Sequence, residues 1–157
     1  MREKKSRRKS NNLITVKYID VSSLRIRANW VIKLIELVLK KEKKKDLEMN
    51  VVITNDNFIR KINKEYRGKD RATDVISFSY DDFSPDRKLI LFGDIIISLD
   101  TAKRQAKENG HSLEKEFATL LIHGLYHLMG YDHCRLMREK ESRALEMINN
   151  LIIKKGR

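Results

Sequence analysis

An α+β fold in a single domain is what the sequence predicts, with a four-stranded mixed sheet packed against about five helices. Three observations predict it. Apolar residues alternate in short runs, they recur at helical spacing in longer ones, and the runs follow the order β, α, β, α, β, β, α, α, α. A chain of 157 residues can enclose one continuous core but is short for two ordinary domains.

The first strand is expected over residues 13–20, where Ile14, Val16 and Tyr18 occupy alternate positions. Ser22 and Ser23 can cap a helix reaching about Lys40, with Leu24, Ile26, Trp30, Val31, Leu34, Leu37 and Val38 as its apolar stripe. The run KKEKKKD at residues 40–46 breaks that stripe and predicts a solvated turn, a basic RNA contact being its alternative use. Residues 47–53 read as the second strand. Asn55 can cap a short helix carrying Phe58, Ile59 and Ile62, and the YRGKDRATD segment after it has the glycine and aspartate of a loop.

Residues 75–80 and 89–98 read as the third and fourth strands. The polar stretch DDFSPDRK between them, with Pro85, is most simply their connection; a mobile substrate flap is the alternative. Residues 101–109 have helical composition, and Gly110 suits a left-handed cap. Ser112 can start the next helix, whose apolar face includes Phe117, Leu120, Leu121, Leu125 and Leu128 and which ends near Gly130. The last helix is expected over about residues 135–153.

Thirty-four Lys and Arg against 22 Asp and Glu leave a net charge of +12, which attracts polyanions and makes nucleic acid the first partner to consider. A solvated lysine surface has the same composition. Residues 1–10 hold six cations against Glu3, and the block has no apolar face to bury. The expected organisation is therefore a flexible basic arm over residues 1–12 and one domain over residues 13–157. A single cysteine, Cys134, allows no internal disulfide, and no apolar stretch approaches the roughly 20 residues of a membrane span. With no apolar core of a secretory signal at the start, the expectation is a cytoplasmic protein without a membrane partner.

Three of the four histidines fall within HGLYHLMGYDH, residues 123–133. His123 and His127 are four apart, so a helix puts both rings on one face about one turn apart. Gly130 lets the backbone leave the helix, so that His133 can approach as a third ligand. Three neutral imidazoles favour zinc and leave one coordination position open, which is the pattern of a catalytic site more than of a closed structural one. The competing reading is a surface cluster of histidines. Cys134, adjacent to His133, is expected to be an ordinary thiol. Asp132 is either an acceptor for a ligand imidazole or a turn former, and His111 is a polar residue at a helix boundary.

HGLYHLMGYDH closely resembles the signature of the YbeY family of endoribonucleases and rRNA maturation factors. YRGKDRATDVISFSY at residues 66–80, FGDIIIS at 92–98 and GHSLEKEFATLLIHG at 110–124 resemble that family's blocks in the same order. The resemblance implies that His123, His127 and His133 bind one zinc ion per chain and that Arg67 is the functional arginine. It also implies a single-strand-specific endoribonuclease acting in 16S rRNA 3′-end maturation and ribosome quality control, with rRNA in ribosomal subunits as partner. Ala72, where a proline is common, and Ser79 and Tyr80 depart from the family's pattern.

On this reading zinc activates water and polarises a phosphodiester oxygen, while the planar fork of Arg67 stabilises the charge that develops on phosphate. A salt bridge from Arg67 to Asp70 or Asp74 is its structural alternative. Lys69 and Arg71 extend the basic surface. Tyr66 and Phe78 read first as core, with stacking on unpaired bases as the other use. Either water or the RNA 2′-hydroxyl can be the nucleophile. Two rival functions remain: a noncatalytic ribosome-assembly factor with a structural metal, and a zinc peptidase. The spacing resembles the protease pattern H-E-x-x-H-x-x-G-x-x-H, but Gly124 stands where the general base of that pattern would be.

Overall fold

In the computed structural model, which describes residues 2–7, 11–22, 25–83 and 89–155, β1 (Arg2–Arg7) and β2 (Leu13–Tyr18) lead into α1 (Ala28–Lys41) and β3 (Leu47–Thr54). The chain continues through α2 (Asp56–Arg67), β4 (Val75–Phe83), β5 (Ile90–Ser98), α3 (Leu99–Asn109), α4 (Leu113–Leu128) and α5 (Arg135–Lys155). The sheet is mixed, in the order β1-β2-β3-β5-β4. The inner pairs β2–β3 and β3–β5 are parallel, and the outer pairs β1–β2 and β4–β5 are antiparallel. Among the described residues no helix is long and apolar enough to cross a membrane.

The α+β class and the helix count match the sequence expectation, and the strand count is corrected from four to five. The extra strand is β1, drawn from the block expected to be a flexible arm. Its pairing runs from Arg2 opposite Tyr18 to Arg7 opposite Leu13. Backbone hydrogen bonding to the free edge of β2 needs no apolar pattern, and a row of cations is what a sheet edge tolerates best. The first helix also starts later than expected. Arg27 is its N-cap residue and makes no side-chain capping bond; of the proposed caps and stripe, Ser23 and Leu24 lie outside the described residues, as does Pro85.

Alternation along the strands sorts the side chains onto two unequal faces. Ile14 and Val16 of β2, Met49, Val51 and Ile53 of β3, and Ile95 and Ile97 of β5 join α1, α4 and the inner side of α5 in one large core. Each such buried aliphatic side chain contributes roughly 1.5–3 kcal/mol. The opposite face holds a small cluster of Ile59, Ile76 and Ile96, covered by α2.

Local chemistry sets the helix ends. Asn55, Ser98 and Ser112 accept from the main-chain N–H groups of Phe58, Thr101 and Lys115, capping α2, α3 and α4. Gly68 and Gly110 close α2 and α3 in the left-handed conformation, both at φ 68°. Where α1 ends, Glu42 accepts from Lys41 (3.0 Å), Tyr126 of α4 (2.9 Å) and Lys140 of α5 (3.1 Å), joining three helices at one carboxylate. Burial works to raise the Glu42 pKa, but these three donors and the Lys41 charge outweigh it and hold the group at about 2.

Candidate metal centre

The centre of the cleft is set by how closely α4 approaches the sheet. A Cβ at Gly124 would lie 3.0 Å from Ile95 Cγ2 and 3.1 Å from Ser77 Oγ. At Gly93 the demand is stricter, because a Cβ there would stand 2.1 Å from the Phe78 carbonyl oxygen and 2.7 Å from Leu128 Cδ2. Two glycines therefore let helix, β4 and β5 close on one another. Gly124 thus has a packing reason of its own, since any side chain there would crowd Ile95 and Ser77.

With α4 seated this way, His123 and His127 share the helix face that overlooks β4. The chain turns after Met129, with Gly130 at φ 91°, and brings His133 back beside them. The candidate ligand atoms of His123, His127 and His133 all lie within 4.8 Å of one another. The Nε2 atoms of His123 and His127 are 3.0 Å apart. Two nitrogens about 2.1 Å from a tetrahedral zinc stand about 3.4 Å apart, so this donor set is sized for a single ion.

Glu141, on α5, accepts from His123 Nδ1 at 2.6 Å. That bond assigns the proton to Nδ1 and leaves the Nε2 lone pair directed at the cluster, as an ion ligand must be. Burial lowers the His127 pKa, and the neighbouring His123 and His133 rings lower it further against the pull of the Tyr131 backbone and Glu141. The neutral imidazole that coordination requires is thus the favoured form. The donor chemistry, the spacing and the oriented tautomer all fit one divalent ion.

The orienting carboxylate is the residue that sequence reasoning missed. Asp132 does not take this part: it is exposed, and its main-chain carbonyl accepts from Cys134 N. Glu141 gave little signal, being one acid among many on a charged helix. Cys134 is exposed and stands outside the histidine group, and His111 instead pairs with Glu116.

Arg67 ends α2 and lines the same cleft as the three histidines, a cavity of about 990 Å³ that also takes in Asp74, Ser77, Thr119, Arg138 and Glu141. The salt bridges considered for it are made by others. Asp70 pairs with Arg60 and Lys64, while Asp74 accepts from Val75 N and Gln105 Nε2. Among the described residues Arg67 has no ion-pair partner. Tyr66 corrects the expectation of a core aromatic: it is 63% exposed and stands edge-on to Phe78, centroids 5.4 Å apart. It falls outside the core because α2 rests on the thin side of the sheet and the turn at Gly68 leaves its last residues in solvent.

Three nitrogens around a position that stays open to a cleft, with a guanidinium on the wall that has no ion-pair partner among the described residues, is the construction of a single-ion metal-dependent hydrolase. A model of the family described as endoribonuclease YbeY matches residues 14–156, and the chain belongs to that family. An endoribonuclease YbeY from Aquifex aeolicus is 40% identical over 149 residues, 95% of each chain. One from Staphylococcus carnosus is 47% identical over 108 residues, 65% of this chain and 71% of the relative. The solution structure of a Thermotoga maritima protein superposes with a TM-score of 0.67 at 27% identity, covering 90% of this chain and 92% of the other.

Proposed function

We propose that the protein is a zinc-dependent endoribonuclease that cuts single-stranded RNA, with His123, His127 and His133 holding one zinc ion and Arg67 as catalytic residue. Its place of action is the cytoplasm, in 16S rRNA 3′-end maturation and ribosome quality control, with rRNA of the ribosomal subunits as partner. The observation that carries this reading is the sharing of one open cleft by the oriented histidine cluster and Arg67, which has no ion-pair partner among the described residues. A structural ion needs no such opening.

When bound, zinc supplies Lewis acidity to the phosphodiester and to water. The chain's own residues do the rest. His123, fixed by Glu141, presents its lone pair without a search through ring orientations. Arg67 offers its planar fork to the non-bridging oxygens and stabilises the negative charge that grows on them. Tyr66 exposes a ring beside Arg67 on which an unpaired base can stack, a use that duplex RNA, with its bases already stacked, cannot make of it. At position 124 the chain has glycine in place of the general base of a peptidase, and a side chain there would crowd Ile95 and Ser77.

Metal analysis and cleavage of a labelled single-stranded RNA, run together on the purified protein and two variants, test the reading. His123→Ala is expected to lose both bound zinc and cleavage while staying folded. Arg67→Ala is expected to keep zinc and lose about 10²–10³-fold in kcat. End-group analysis of the products assigns the nucleophile, because a 2′,3′-cyclic phosphate requires attack by the ribose hydroxyl. A zinc-loaded, folded wild type that cuts no RNA would sink the enzyme reading, and unfolding on chelation would favour a structural metal.

A further inference from the structure

We propose that Arg138, on the α5 wall of the cleft, grips a second phosphate of the RNA, so that the strand lies across the histidine cluster between Arg67 and Arg138. The proposal rests on the reading of the cleft as an RNA-cutting site and adds the path of the substrate through it.

Both guanidinium groups line the cavity that holds the three imidazoles, and they come from different elements: Arg67 is the last residue of α2, and Arg138 lies in the first turn of α5. The charges around them are unequally committed. The cleft carboxylates are engaged, Asp74 by Val75 N at 2.7 Å and Gln105 Nε2 at 3.1 Å, and Glu141 by His123. Neighbouring cations on α5 are engaged as well, Arg135 with Glu139 at 3.1 Å and Lys140 with Glu42 at 3.1 Å. Arg138 is exposed and has no ion-pair partner among the described residues. A guanidinium with no ion-pair partner among the described residues leaves its donors available for phosphate oxygens, and its planar fork suits them.

A second, shallower groove continues from that point over the outside of α5. Arg138 and Ser142 belong to both cavities, and the second is lined further by Arg135 and Arg143, together with Glu139 and Glu146. A phosphodiester chain leaving the histidine cluster on this side passes the junction of the two cavities, where Arg138 is the one cation common to both. One cation near the reacting phosphate and another flanking it fix the register of a strand, which a single contact cannot do.

The test is binding of a fluorescent, 2′-O-methyl, phosphorothioate-linked single-stranded oligonucleotide to the zinc-loaded protein, followed by anisotropy across a salt series, beside kcat and KM on cleavable RNA. Arg138→Ala is expected to weaken binding about 3- to 10-fold and to flatten the log–log salt dependence by about 0.7, the loss of one phosphate contact. KM should rise by a similar factor with kcat nearly unchanged. Arg138→Lys should restore the salt slope. Lys33→Ala, which removes an exposed cation of α1 away from the cleft, should leave the slope as in wild type. An Arg138→Ala protein with wild-type affinity and slope would overturn the proposal, as would an equal flattening in Lys33→Ala. Should the wild type bind but never cut, the enzyme reading fails on its own, and the comparison of slopes still decides the role of Arg138.

Discussion

Helix α4 buries twelve of its sixteen residues and carries two of the three imidazoles, whereas α2 buries two of its twelve and ends in Tyr66 and Arg67. The difference follows the tolerance of each task. Coordination fails when a nitrogen moves by a few tenths of an ångström, and two of the three proposed ligands sit on the element pressed hardest between sheet and helices. A flexible polyanion can be met by side chains that adjust, and these stand on the thinly covered side, where local opening costs least. One cleft thus joins a rigid wall to an adaptable one.

The contrast can be broken hardest at Gly93. With a Cβ in contact with the Phe78 backbone, Gly93→Ala is expected to cost about 3 kcal/mol or more by denaturant unfolding. It should also weaken zinc binding, because β4, β5 and α4 can no longer close together. Unchanged stability would mean that the rigid wall is not built as described.

Next in size is the carboxylate that joins α1, α4 and α5. Its folded pKa, held at about 2, lies below the ordinary value of 4.5. The stability it confers is therefore fully present above the ordinary value and is lost as pH falls from there toward 2. The loss is on the order of 2 kcal/mol. Glu42→Gln should flatten the acid limb of a stability-against-pH curve, and an acid limb identical to wild type would count against the assignment.

Glu141→Ala should lower zinc affinity about 10- to 100-fold in a chelator competition while leaving the fold intact. Equal affinity would show that ring orientation is set elsewhere. The smallest effect is expected on the adaptable wall: Tyr66→Ala should change stability by less than about 0.5 kcal/mol while weakening binding of single-stranded RNA. A large loss of stability would make Tyr66 a packing residue after all.

The sequence made the packed wall legible and left much of the other wall obscure. Periodicity places the elements from β2 to α5 in their observed order, because burial on a strand or a helix leaves a repeating apolar mark. Asn55, Gly110 and Ser112 mark helix ends through bonds that only a few residue types make. The histidine spacing is readable because a helix and a glycine turn convert sequence distance directly into space. β1 leaves no such mark, since its pairing depends on the empty edge of β2 and not on its own side chains. Tyr66 misleads for a related reason: whether an aromatic at a helix end is covered depends on which face of the sheet that helix occupies. Glu141 is an acid on a solvated helix until the packing of α5 against α4 sets it against His123.

That last link orders events in the life of the chain. All three imidazoles emerge from the ribosome before Glu141 does, yet the His123 ring is held only once the final helix has been made and docked. A nascent chain released before that point carries all three imidazoles but lacks the brace on the first of them. Docking of α5 and the setting of the His123 ring are in this way tied together by one hydrogen bond.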